Sequence, residues 1–287
     1  MTVRMGVPGT PPRVAPARRV LLLTAVLFAL SSAYAAAVAV SPVAVYIDNR
    51  TRTGTLTLFN PGSRPEEIQV DFAYGYPQSD DEGNVSVAVT DSVPEGEPSA
   101  VAWMRAFPRR MVLEPGQRQV MRVMVEPPPG LPEGEYWARA LVRARGGQPP
   151  IEEQRGDVTV QVEVETVVIV AVNYRNGGVN TGLEVTGASA TMAGDTVRAT
   201  IDFRRSGNAA YLGRVLAEVL DARGQAVAST EEVLAVYKTI RRRLDVVPPA
   251  GTAGPFRVRF TMDTERDDLP PGGPLPTERV VHEVAVR

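Results

Sequence analysis

From Val40 onward the chain alternates apolar and polar residues with period two, and it breaks about every eight to twelve residues at turn chemistry. No other feature limits its fold so tightly. Val43-Ala-Val-Tyr-Ile47 ends at the polar turn Asp48-Asn-Arg50, and Gly54-Thr-Leu-Thr-Leu-Phe59 ends at Asn60-Pro-Gly62. In Glu67-Ile-Gln-Val-Asp-Phe-Ala-Tyr74, Ile68, Val70 and Phe72 fall on one face and Gln69 and Asp71 on the other. A half-buried antiparallel strand reads this way, because successive side chains point to opposite faces of a sheet. With 25 glycines, 25 prolines and 6% aromatic residues, the expected fold is all-β: two tandem immunoglobulin-like β-sandwich domains.

The most β-biased stretch is Asp157-Val-Thr-Val-Gln-Val-Glu-Val-Glu-Thr-Val-Val-Ile-Val-Ala-Val172. Its first half places Val158, Val160, Val162 and Val164 on one face and Thr159, Gln161, Glu163 and Glu165 on the other. Its second half is apolar on both faces, so one strand is expected to pass from a half-exposed into a fully buried position. A loop of about ten residues, Gly146 to Gly156, precedes it. Asn173-Tyr-Arg-Asn-Gly-Gly178 reads as a hinge, after which the alternation restarts. The expected division is 1–37, 38–175 and 176–287. Val233, Tyr237, Ile240 and Leu244 fall at helical spacing, so a short helix competes with strand there.

Residues 1–37 differ in kind. Met1 to Arg19 carries Arg4, Arg13, Arg18 and Arg19 and no acidic residue, followed by an apolar run from Val20 to Leu30 and then small residues. This is the pattern of a secretory signal peptide. The A-x-A spacing offers cleavage after Ala35 or after Ala37. A retained anchor is the other reading, since Val20 to Val40 is just long enough to span a bilayer. Cleavage after residue 35 leaves 27 basic residues against 33 acidic ones, a net −6. Such a balance points away from nucleic acid and from an anionic membrane surface.

Composition excludes several chemistries. With no cysteine there is neither disulfide, thiolate nor lipid-anchored Cys, and one histidine, His282, builds neither a triad nor a multi-His metal centre. The acidic loop Ser79-Asp-Asp-Glu-Gly-Asn84 lacks the spacing of a calcium loop and reads as a solvated hairpin. Gly-rich phosphate loops, nucleophile elbows and catalytic carboxylate pairs are missing, so neither an enzyme nor a cofactor is expected. Trp103 and Trp137 are expected in the core of the first sandwich, Arg241-Arg-Arg243 on a solvated face, and His282 at the surface.

Residues 40–175 resemble the N-terminal domain of PapD-like periplasmic pilus-assembly chaperones. The resemblance is carried by Val40-Ser-Pro42, by Gly54-Thr-Leu-Thr-Leu-Phe-Asn60, and by the turn Leu113-Glu-Pro-Gly116 running into Gln119-Val-Met-Arg-Val123. Leu131-Pro-Glu-Gly-Glu-Tyr136 and the long valine strand complete it, and residues 179–287 are similar in layout to a second immunoglobulin-like domain. The resemblance implies a periplasmic chaperone that lends an edge strand to secreted, pilin-like subunits, with an outer-membrane usher as a further partner. Val158, Val160, Val162 and Val164 would be the lent face; their burial in a client would supply about 6 kcal/mol before ordering costs. The family also anchors a client's C-terminal carboxylate with one Arg and one Lys. Those positions fall here on Ala44 and Ala171, and the Arg-Glu-Ser signature is replaced by Glu133-Gly-Glu-Tyr-Trp137. Arg139, Arg143 and Arg175 lie close enough in sequence to take over the anchoring. The competing expectation is a structural or adhesive envelope protein that uses the same two domains without a chaperone cycle.

Overall fold

The structure is a computed structural model that describes residues 38–147, 151–155, 158–162 and 164–287, with 151–155 and 158–162 described by their backbone alone. The signal segment 1–37 lies outside the described residues. The first sandwich opens with β1 (Ala39–Ser41), β2 (Ala44–Asp48), β3 (Thr53–Phe59) and β4 (Glu66–Ser79). It continues through β5 (Val85–Thr90), β6 (Met104–Phe107), β7 (Arg110–Leu113), β8 (Arg118–Val125) and β9 (Gly134–Arg145). A hairpin, β10 (Ile151–Arg155) and β11 (Val158–Val162), precedes the last strand, β12 (Thr166–Asn176).

One sheet has the order β1-β3-β8-β6 and the other β2-β12-β9-β4-β5, with β7 also paired to β4. These are the two sheets of an immunoglobulin sandwich, with the first edge strand split so that its second half, β2, runs parallel to β12. Alternation places Leu56 and Leu58 of β3 and Met121, Val123 and Val125 of β8 between the sheets, facing Val70, Ala140, Val142, Val170 and Val172. Gly54 is required where β3 crosses β2: a Cβ there would lie 2.3 Å from Val45 Cγ1.

The second sandwich comprises β13 (Thr181–Ala193), β14 (Thr196–Gly207), β15 (Tyr211–Leu220), β16 (Ala226–Val236), β17 (Thr239–Val246), β18 (Arg257–Asp263) and β19 (Val280–Ala285). Its sheets, β13-β14-β17 and β16-β15-β18-β19, again follow immunoglobulin order. Val197, Ile201, Phe203, Val215, Leu244 and Phe260 fill the space between them.

Several expectations need correction. The valine segment is not one strand: Val158–Val162 pairs with β10 in a separate two-stranded sheet, and only Thr166–Asn176 enters the sandwich. The loop expected over Gly146 to Gly156 therefore contains strand β10. Nor is the second half of the segment fully buried, because β2 pairs with β12 only from Ala171 to Arg175 and leaves Val167 and Ile169 exposed. Asn173–Asn176 is no hinge but the end of β12. Of the two readings of Val233–Leu244, strand prevails: β16 pairs with β15 and β17 with β14 in the opposite sheet, and this cross-strand pairing overrides the local helical spacing. Before β6 the chain makes one 3-10 turn, Val101–Trp103.

The alternation along β8 gives a direct test. Met121 is fully buried and its neighbour Val120 is exposed. Met121→Ala is expected to cost about 2–5 kcal/mol, and Val120→Ala less than about 0.5 kcal/mol, measured by urea unfolding.

Candidate functional site

The outer face of β9 carries Glu135, Trp137 and Arg139 on alternate positions. All three are buried, although they point away from the core of their own sandwich. The second sandwich covers them: Trp137 packs with Tyr74, Ala210, Leu212 and Tyr237 in a cluster between the two sandwiches. The Trp137 and Tyr237 rings meet edge to face at 4.9 Å. Trp137 is thus not a core residue of the first sandwich, whereas Trp103 does pack against that core. The reason is face parity: Trp137 alternates with the core-facing Ala138 and Ala140.

Glu135 supplies the polar fastening. One carboxylate oxygen accepts from the Ala210 amide at 3.1 Å and from Asn173 Nδ2 at 3.2 Å, and the other accepts from Arg175 Nε at 2.7 Å. Arg175 also donates to the carbonyls of Gly272 and Gly273 and stacks over the Tyr46 ring at 4.9 Å. A second fastening joins Lys238 to Glu97, which also accepts from the Tyr74 hydroxyl at 2.6 Å. The expected solvated run Arg241 to Arg243 is instead engaged in ion pairs, Arg241 with Asp202 on β14, Arg242 with Glu232 on β16, and Arg243 with Asp245 two residues further along its own strand.

Beside this seam is a cavity of about 160 Å³ lined by Val43, Ala44, Ala171, Arg139, Tyr237 and Leu269, among others. Ala44 and Ala171 are direct partners in the parallel β2–β12 ladder, and Arg139 is the antiparallel partner of Ala171 on β9. Arg139 therefore stands one strand away from Ala171 and two from Ala44. Its Nε donates to the Gly75 carbonyl at 3.0 Å and its plane lies 4.9 Å from the Tyr237 ring. Its Nη2 is buried and has no hydrogen-bond partner among the described residues. Arg266, on the same cavity, is taken up by Asp268 at 2.5 and 2.6 Å, which holds the Asp268 carboxyl below its ordinary value.

The other two candidate arginines are elsewhere. Arg143 pairs with Glu165 at 3.3 Å in a separate depression that also includes Arg110 and Arg145. Arg175 is committed to Glu135 and the two carbonyls. The structure thus brings Arg139 together with Ala44 and Ala171 and leaves Arg143 and Arg175 out.

The cavity adjoins an open sheet edge. The Ala171 amide donates to the Val43 carbonyl at 3.2 Å. Beyond that bond no strand pairs with Thr166–Val170 on the side away from β9, among the described residues. Residues of the same parity as Ala171 point their N–H and C=O groups toward that vacant side, which makes Val167 and Ile169 the template positions. Their side chains are 38% and 41% exposed, and Val164 just before them is 42% exposed. Val158, Val160 and Val162 lie on the β11 backbone that leads into this edge; their side chains are outside the described residues. Sequence reasoning missed Val167 and Ile169 because a segment apolar on both faces reads as buried, and only the length of β2 shows that the edge is open.

No family model matches the chain, and no curated protein does either. Solved structures do. A chain from a chaperone–tip adhesin complex of CFA/I fimbriae biogenesis is 11% identical, with 86% of this chain and 98% of that chain covered and a TM-score of 0.44. The YadV chaperone is 14% identical over 86% and 98%, with a TM-score of 0.43. A chain from the Salmonella enterica SafA pilin–SafB chaperone complex is 12% identical over 86% and 96%, with a TM-score of 0.41.

The seam makes two predictions. Arg175→Met leaves the buried Glu135 carboxylate with neutral donors only and is expected to cost about 3–5 kcal/mol in urea unfolding. The second concerns acid. Burial pushes the Glu97 carboxyl up, but hydrogen bonds from Lys238 and Tyr74 outweigh it and hold Glu97 below its ordinary value of 4.5. A carboxyl depressed on folding contributes stability that is present above its unfolded pKa and is lost as pH falls through the folded one. The difference in urea midpoint between wild type and Lys238→Met should therefore shrink as pH drops from 7 to below about 4.

Proposed function

We propose that the protein is an exported, periplasmic chaperone that holds secreted, pilin-like subunits by adding one of their strands to the open edge of β12. The observation that carries this reading is the contiguity of an unpaired, apolar-studded edge with a buried arginine that has a donor to spare. A client strand laid along Thr166–Val170 would satisfy the vacant backbone groups of Val167 and Ile169. The side chains of Val167 and Ile169, on alternate positions, would supply apolar contacts, and Val164 just before the strand and β11, with Val158, Val160 and Val162, would extend the platform. A client ending at the cleft would place its terminal carboxylate near Arg139, where a charge-assisted hydrogen bond is stronger than in water.

Export rests on residues 1–37, read as a signal peptide. Among the described residues no helix is long and apolar enough to cross a membrane. An outer-membrane usher as a further partner follows only from the family resemblance of residues 40–175. An adhesive or structural role for the two sandwiches would leave both the edge and the spare Arg139 donor without a task. Neither a catalytic group nor a cofactor enters this reading.

The test is equilibrium binding of a fluorescent ten-residue peptide of alternating Val and Thr, prepared with a free C-terminal carboxylate and as the amide. The free acid is expected to bind about tenfold more tightly, consistent with one hydrogen bond to a charged group. Arg139→Met should abolish that preference, while Val167→Asp with Ile169→Asp should weaken both peptides at least tenfold. Equal binding of both peptides by wild type rules out the anchor, and binding unaffected by the two aspartates rules out the edge.

A further inference from the structure

Glu66, the first residue of β4, presents a problem that strand capture does not solve. It is 3% exposed, its Oε2 has no hydrogen-bond partner among the described residues, and none of the salt bridges among them includes it. It is closely enclosed, since a Cβ on Gly147 would lie 2.5 Å from its Oε1. Burial pushes its carboxyl up, and the one group that acts in the opposite direction is the backbone N–H of Val38. A buried carboxylate facing a single neutral donor is costly; carboxylates are retained in such places when a cation meets them.

Val38 is the residue immediately before β1. It is itself 3% exposed and belongs to the core of the first sandwich. It also directly follows Ala37, one of the two positions at which the A-x-A spacing allows cleavage. We propose that a leader peptidase cuts between Ala37 and Val38 and that the new α-ammonium group of Val38 forms a buried ion pair with Glu66. The reaction is hydrolysis of one peptide bond. The C–N bond breaks, the water hydroxyl joins the Ala37 carbonyl carbon as a carboxylate, and the Val38 nitrogen leaves as an amine that is protonated at neutral pH. Where the amide offers one N–H and no charge, the ammonium offers three donors and a positive charge at the same place. Cleavage after Ala35 would leave the Val38 nitrogen an amide and Glu66 without its cation. Processing is thereby coupled to stability: the first sandwich reaches its full stability only after the leader is gone. This inference is independent of strand capture and does not involve the β12 edge or Arg139.

The test uses the full chain exported with its own leader from a Gram-negative host. Intact-mass and N-terminal analysis should give Val38 as the first residue. Lys238 is the chain's one lysine, so an acylating reagent such as acetyl-N-hydroxysuccinimide can meet only two amines. The Val38 amine should react at least tenfold more slowly in the native protein than in the same protein unfolded in urea. Glu66→Gln should remove most of that protection and leave the Lys238 rate unchanged. Ala37→Leu, which shifts cleavage to Ala35, should make the protein less stable in urea and make it insensitive to Glu66→Gln. A mature chain that begins elsewhere, or is never cut, overturns the inference. So does a Val38 amine that reacts equally fast folded and unfolded, a result that needs no variant to fold.

Discussion

The geometry of this protein depends on one buried carboxylate. Glu135 belongs to the first sandwich, yet its partners include the amide of Ala210 in the second and Arg175, which itself holds the carbonyls of Gly272 and Gly273. An ion buried without such partners would be strongly unfavourable, so the contact is satisfied only when both sandwiches are in place. That requirement turns two domains on one chain into a single body with a defined cleft. The apolar cluster around Trp137 and Tyr237 fills the space between the sandwiches, and Glu135 is satisfied only in the arrangement that buries this cluster.

The cleft then inherits its properties from neighbouring strands. Ala44 and Ala171 are small and lie side by side, so their methyl groups leave space next to β9. Arg139 faces Ala171 across the ladder and fills part of that space with a guanidinium whose Nε is bound and whose Nη2 is not. Arg139 thus sets a positive charge one strand from Ala171, about 5 Å across the sheet, and two strands from Ala44.

The alternating pattern made the two sandwiches legible from sequence, because period-two burial is a property of each strand by itself. Along β3, β8 and the first half of β4, from Ile68 to Val70, burial follows the alternation. What could not be read were facts that belong to pairs of elements. Val167 and Ile169 are exposed because β2 stops at Ala44, and nothing within β12 encodes the length of its neighbour. Trp137 leaves its own core because a second sandwich covers the outer face of β9. The helical spacing of Val233, Tyr237, Ile240 and Leu244 was real but was overruled by pairing with β15 and β14. Arg139, Arg143 and Arg175 were equivalent as letters; burial and partners distinguish them.

Sheet edges are hazards, and the way each is guarded narrows the choice of the working one. On β16, Glu231 and Glu232 are engaged by Arg214 and Arg242, so the strand presents charge pairs rather than a vacant apolar ladder. On β19, His282 and Glu283 interrupt the valines, and Glu283 is held by Arg257 and Arg259. β5 exposes Val85 and Val87 but is short, next to an acidic turn, and it does not line the cleft cavity. The edge at Thr166–Val170 differs in kind: its outward side chains are Val167 and Ile169, and its end opens onto a buried cation. An unguarded edge that merely invited aggregation would gain nothing from a cation at one end. Under the proposed strand capture, a cation placed there would fix the register of the added strand, because only a chain that terminates at the cleft could satisfy both.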